Sequence, residues 1–178
     1  MKIIDIAFNR GEKSFASVLS FTATTEPSPI VLHSNEKALL NKFSSARKNT
    51  FIAGRHCAKQ SISKICDIKN LSEILIVNSI FDFPVIIHPN IHNTNVSIAH
   101  TNHSAVAVAF PETHPVGIDI EDICDERSQT ISTQLTDSEK SLRTNLSISE
   151  ALFNTILWTA KESLSKVLKT GLMATTKG

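Results

Sequence analysis

Val116 to Glu121, VGIDIE, alternates apolar Val116, Ile118 and Ile120 with Gly117, Asp119 and Glu121. Successive side chains of a strand point to opposite faces, so the alternation predicts that Asp119 and Glu121 share one side. Two carboxylates that close hold their protons more tightly unless a cation lies between them. A hard divalent ion meets that need: magnesium takes oxygen ligands, is commonly held by one or two carboxylates, and keeps positions for water and substrate phosphate. An exposed polar face has the same pattern, so DxE alone leaves both readings open.

The segment WTAKESLSKVLKTGL sets Glu162 and Lys166 four residues apart, adjacent on one flank of a helix, with Lys161 near the other flank. An ordinary helix ion pair is worth only roughly 0.2–0.5 kcal/mol, so this pair gains meaning only if its flank faces a site. NVSIAHTNHS offers His100 at the end of a strand and His103 in the turn after it. Two imidazoles without a clear third ligand are weak evidence for a zinc site, and a phosphate-contacting His100 is the stronger functional reading. In RKNTFIAGRHCAKQ, Arg47, Lys48, Arg55 and Lys59 form a basic cluster that suits either a solvated face or bound phosphate.

The elements that must position these residues alternate in type. KIIDIAF and SFASVLSFTA read as strands, followed by the turn-rich TTEPSP. From about Ser34 to Ile68 apolar residues recur at helical spacing, with breaks expected around Lys48 to Thr50 and at Gly54. EILIVNSIFDFPVIIHP predicts strands interrupted by Pro84, NTNVSIAHTNHSAVAVAF two strands around a turn near Thr101 to Ser104, and VGIDIE a further strand. Thr136-x-x-Glu139 and Ser147-x-x-Glu150 are capping-box patterns. The second opens a helix whose stripe, Ile148, Leu152, Phe153, Ile156, Leu157, Ala160, Leu164, Val167 and Leu168, must pack on a sheet or helix, with Gly171 as its stop. This order implies α+β rather than a regular parallel α/β layout.

With 178 residues, 41% of them hydrophobic, the chain can bury a core as one domain or two small ones. Eighteen basic against 17 acidic residues, a formal charge of +1, give no global argument for nucleic acid or a membrane surface. MKIIDIAFNRGEK lacks the apolar core of a signal peptide, so a cytoplasmic location is expected. Cys57, Cys66 and Cys124 have no CxxC spacing and read as reduced, mostly structural thiols.

Taken together, FIAGRHCAK, NVSIAHT, VGIDIE and WTAKESLSKVLKTGL, in this order over roughly residues 45 to 172, resemble the 4′-phosphopantetheinyl transferases. The likeness is to the larger monomeric type that activates carrier proteins of polyketide, nonribosomal-peptide and siderophore synthesis. It implies Mg²⁺-dependent transfer of 4′-phosphopantetheine from coenzyme A to a serine of an acyl or peptidyl carrier protein, releasing adenosine 3′,5′-bisphosphate. Asp119, Glu121 and Glu162 would be the metal ligands, and Lys161 and Lys166 would contact the pyrophosphate. His100 would bind phosphate, and Lys59, with Arg55 and Arg47, would hold the ribose 3′-phosphate. Glu162, Lys166 and His100 would be the catalytic residues, with the serine proton going to Glu162 or to a nearby water.

The resemblance implies a fold of two pseudo-symmetric α/β subdomains, residues 1–110 and 111–178, with coenzyme A and Mg²⁺ in the cleft between them. Family members often carry Ser or Thr where this chain has Ala99, and they usually continue beyond the signature helix, whereas this sequence reaches MATTKG soon after it. The expectation is therefore a second subdomain that is incomplete, with the last helix partly uncovered and a monomer prone to self-association. Two rival functions remain at this point: a non-catalytic coenzyme A or carrier-binding remnant, and a metal-dependent phosphohydrolase using the same carboxylates.

Overall fold

The computed structural model describes residues 1–10, 13–25 and 28–169. In chain order its elements are β1 (Lys2–Arg10), β2 (Lys13–Ala23), α1 (Ser34–Leu39), α2 (Ser45–Cys66), β3 (Leu75–Asn78), β4 (Pro84–Ile87), β5 (Thr94–His100), β6 (Ser104–Pro111), α3 (Asp125–Ser132), α4 (Asp137–Ser141) and α5 (Glu150–Leu168), joined by short 3₁₀ turns. This is the mixed helix and sheet arrangement that the pattern of periods implies.

Four strands form an antiparallel sheet in the order β1-β2-β6-β5, and β3 and β4 make a separate two-stranded ribbon. Strand β6 is central. Ala105, Ala107 and Ala109 are wholly buried on one of its faces, and Val106, Val108 and Phe110 are buried on the other. The alanines let α2 lie close to the sheet, where Ala53, Cys57, Ala58 and Ile62 complete the core with Val96, Ile74 and Ile76. Inside that contact the Ser61 hydroxyl donates to Ser20 Oγ at 2.9 Å, satisfying a polar group that burial would otherwise penalise. Burial likewise pushes the Cys57 thiol up to about 12, the inert thiol expected of a core position.

Helix α2 runs unbroken through Lys48–Thr50 and Gly54, contrary to the expected breaks. The interruption comes earlier, where Phe43 is extended and the Ser44 side chain caps the new helix by accepting from Arg47 N. Gly54 serves packing instead: a Cβ there would meet Ile98 Cγ2 of the sheet at 3.3 Å. Pro84 does not interrupt a strand but begins β4, a position that loses no ladder donor within a strand. Strands β5 and β6 and their turn lie where the sequence puts them.

Three helices follow the sheet. Thr136 and Glu139 form the predicted capping box at α4. The second box does not form: Ser149, not Ser147, caps α5 by accepting from Leu152 N, and Glu150 pairs with Arg143 at 3.3 Å. Helix α5 packs on α3, where Asn154 Nδ2 donates to the Ser128 carbonyl and hydroxyl and Phe153 is buried. The rest of its stripe is less covered, with Ile156, Leu164 and Leu168 exposed among the described residues. Lys169 in the left-handed region ends the helix, and the expected Gly171 stop lies outside the described residues. No described helix is long and apolar enough to cross a membrane.

Candidate functional site

VGIDIE is not a strand. Among the described residues no neighbour pairs with it, and all six of its residues are half-buried with no alternation. A different set of contacts fixes it in place. The Ile118 amide donates to Ser97 Oγ on β5 at 3.2 Å, and Lys166 Nζ on α5 donates to the Ile118 carbonyl at 3.0 Å. Gly117 sits against the α5 backbone so closely that a Cβ would lie 1.9 Å from the Ser163 carbonyl oxygen. The segment is thus clasped between the sheet and the last helix, which brings its carboxylates beside Glu162 and Lys166.

Lys166 Nζ also donates to Asp119 Oδ1 at 2.8 Å. The second oxygen, Oδ2, is buried without a hydrogen-bond partner among the described residues. Burial holds the Asp119 carboxyl above the usual carboxylate range; Lys166 opposes the rise and Glu121 adds to it. Burial also raises Glu162, followed by Asp119, against the pull of Lys166, with Glu121 contributing further. The three acids therefore share one electrostatic field. They are not assembled into a ready coordination shell: no group of three potential ligands is drawn together among the described residues, and Glu121 is held by both arms of Arg127 at 2.6 and 3.1 Å. An orphaned buried carboxylate oxygen beside two mutually repelling acids nonetheless fits a hard, oxygen-seeking cation.

Beyond β5 lies a basic cleft of about 280 Å³ whose lining includes Arg47, Thr50, Arg55, Asn78, Asp82 and His100. Arg47 Nη1 is 3.0 Å from His100 Nε2. A guanidinium has no acceptor, so this contact requires Nε2 to accept and the imidazole to be neutral. Burial first, then the charges of Arg47 and Lys166, keep His100 below its ordinary range for protonation. Arg55 lies over the Phe51 ring at 4.8 Å and donates to Asn78 Oδ1 at 3.2 Å. A second cavity of about 260 Å³, lined by Phe81, Phe83, Phe110, Val116, Glu162 and Lys166 among others, shares Asp82, Pro84 and Ile98 with the first. The two hollows adjoin along these residues, with Arg47, Arg55 and His100 lining one and Glu162 and Lys166 lining the other, while Asp119 and Glu121 line neither.

Two expected ligands lie elsewhere. Lys59 is wholly buried, donating to Glu36 Oε2 at 2.5 Å and to the Val31 carbonyl at 2.9 Å, so it faces α1 and not the cleft. Lys161 turns toward α4, donating to Glu139 Oε2 at 2.9 Å and to the Gln134 carbonyl. His103 stays in the exposed turn and joins no metal cluster of described residues. Asn78 and Glu36 enter the arrangement unannounced by any motif, because each acts through a contact distant in sequence, as does Gly117 within VGIDIE, whereas Arg127 reaches Glu121 six residues away without belonging to a motif.

Residues 115–177 match the family model described as the 4′-phosphopantetheinyl transferase superfamily. The stretch takes in VGIDIE and the whole of α5. The structure is similar to the crystal structure of a holo-(acyl-carrier-protein) synthase from Bacillus anthracis str. Ames in complex with CoA (3′,5′-ADP), with a TM-score of 0.49 and 21% identity, covering 53% of this chain and 93% of that one. A search of the curated proteins found no match to this chain.

Proposed function

We propose that this chain transfers 4′-phosphopantetheine from coenzyme A to a carrier-protein serine with the help of Mg²⁺. One observation carries the reading: within the family-matched stretch, the buried and unpartnered Asp119 Oδ2 lies in a field shared with Glu121 and Glu162, and Lys166 reaches the same carboxylate. Asp119, Glu162 and, on release from Arg127, Glu121 would hold the ion. When bound, Mg²⁺ supplies charge neutralisation for a pyrophosphate and for the oxygens on which charge develops. Lys166 adds a cation beside Asp119 that would also serve a bound phosphate.

At the other end Arg47, Arg55 and neutral His100 would bind the ribose 3′-phosphate and neighbouring oxygens, each as a hydrogen-bond donor. His100 donates through its Nδ1 proton or, after protonation, through both nitrogens. Lys59 and Lys161 are left out because their ammonium groups are committed to Glu36 and Glu139. In the transfer, the serine oxygen forms a bond to the phosphorus of the pantetheine phosphate. The bond from that phosphorus to adenosine 3′,5′-bisphosphate breaks, and the serine proton passes to Glu162 or to a water beside it. Burial raises Glu162's affinity for a proton, which favours it as acceptor, whereas metal ligation opposes that role.

Mass spectrometry tests the proposal. A carrier protein incubated with the chain, coenzyme A and Mg²⁺ should gain the mass of phosphopantetheine, and Asp119→Asn or Glu162→Gln should abolish the gain while leaving a cooperative melt. Coenzyme A binding without a mass gain would favour a binding remnant. Adenosine bisphosphate released without carrier would favour a phosphohydrolase.

A further inference from the structure

Glu36 is a carboxylate with 1% of its surface exposed, on the first turn of α1. Its Oε2 accepts from the His33 amide at 2.9 Å and from Lys59 Nζ, and its Oε1 accepts from the Ile76 amide at 3.2 Å. Oε1 also lies 3.4 Å from Arg55 Nε, an ion pair outside hydrogen-bond geometry. One acid therefore ties α1, α2 and β3 together and faces two cations at once.

The two cations are not equivalent. Lys59 is fully enclosed and its charge is met by Glu36 and the Val31 carbonyl. Arg55 is the one that reaches the cleft wall, its guanidinium lying over the Phe51 ring and one terminal nitrogen donating to Asn78. With two positive groups against one negative, the surplus charge is displayed where Arg55 lines the cleft. Burial lowers the ease with which Arg55 stays charged, and the Glu36 charge opposes that loss.

We propose that Glu36 is a positioning residue of this cleft: it never touches ligand, but by holding Arg55 from behind it sets the recognition of a phosphate monoester on a nucleotide. The proposal rests on the function proposed above, with the 3′-phosphate of coenzyme A as that monoester. A buried carboxylate that neutralises its own lysine while orienting a neighbouring arginine supplies a rigid cation without an uncompensated buried charge.

The test compares coenzyme A with 3′-dephospho-coenzyme A by calorimetry and by steady-state transfer. Glu36→Gln paired with Lys59→Met removes both buried charges together. Its expected signature is coenzyme A affinity reduced on the order of tenfold, as for loss of one well-placed charged hydrogen bond. Affinity for the dephospho form should stay unchanged, and KM for coenzyme A should rise with kcat retained. Glu36→Asp keeps a counter-ion for Lys59 but withdraws it from Arg55, and should shift the same ratio in the same direction if the paired variant fails to fold. Equal losses for both ligands, or no loss in either variant, would overturn the role of Glu36. A wild-type chain that transfers from both donors with equal affinity would instead overturn the assignment of the cleft, and the proposal with it. A wild-type chain that binds neither would overturn the function on which both rest.

Discussion

Replacing Gly117 with alanine adds one methyl group at the place where the acidic segment touches α5. The new Cβ would lie 1.9 Å from Ser163 O, 2.8 Å from Ser163 C and 3.0 Å from Val167 Cγ2. Ordinary contact begins near 3.4 Å, so segment and helix must part by about 1.5 Å. The obstacle is backbone, which no rotamer change can relieve. Helix α5 is pinned on its far side by Phe153 and by Asn154 on Ser128, so the segment is the part that yields. Its retreat would draw Ile118 N from Ser97 Oγ and Asp119 from Lys166. Overpacking of this kind costs about 1–3 kcal/mol, a melting point lower by roughly 2–12 °C at this size. Displacing a reacting group by an ångström can cost about 10²-fold in rate. Thermal melting and the carrier mass-shift assay should therefore both respond, the second far more strongly. In the melting comparison Gly54→Ala is the control, since its Cβ meets only the movable Ile98 Cγ2 at 3.3 Å. A Gly117→Ala protein that melts within a degree of wild type and modifies carrier at the same rate would refute the reasoning.

Arg127 competes with a cation for Glu121, and as an exposed pair it holds at most about 1 kcal/mol. Arg127→Gln should tighten Mn²⁺ binding by up to about fivefold in a titration, and unchanged affinity would count against Glu121 as a ligand. His100 has a folded-state proton affinity below its unfolded one, so its contribution to stability is present above the ordinary histidine range. That contribution is lost as pH falls through the ordinary range toward the lowered one. In an NMR titration His100 should protonate below about 6.5 and move upward when adenosine 3′,5′-bisphosphate is added; a ligand-independent value would remove His100 from the phosphate site. Lys59→Met leaves Glu36 buried with half its neutralisation gone, and a buried pair broken this way costs about 3–5 kcal/mol. Its melting point should drop by roughly 6–20 °C, and a smaller drop would mean that Arg55 can replace the lysine.

Features governed by near neighbours were legible in the chain. The Thr136–Glu139 box, the β5–β6 pair around Thr101, and the helical character of 45–66 each follow from residues within a few positions of one another. The acidic motif shows where local reading stops. Alternation made VGIDIE look like a strand, yet a strand needs a partner, and the segment is held instead by Ser97 and Lys166. Lys59 looked available because it lies one turn from Arg55. The turn from α1 carries Glu36 to it across 23 residues and encloses it. Lys161 and Lys166 are five residues apart on one helix and face different partners, Glu139 and Asp119, because α4 and the acidic segment pack on different flanks.

The residue types able to do the chemistry, a pair of acids with a third acid and lysines on a helix, can be read from the order of amino acids, because hard-cation and phosphate binding demand those groups wherever the chain places them. Which of them meet depends on the packing of the folded chain. It took Lys59 and Lys161 out of the site, brought Gly117 and Glu36 into its support, and left one oxygen of Asp119 buried without a partner. The physical reason is that burial and distance, not residue type, set which charges are already neutralised and which are left to bind something else.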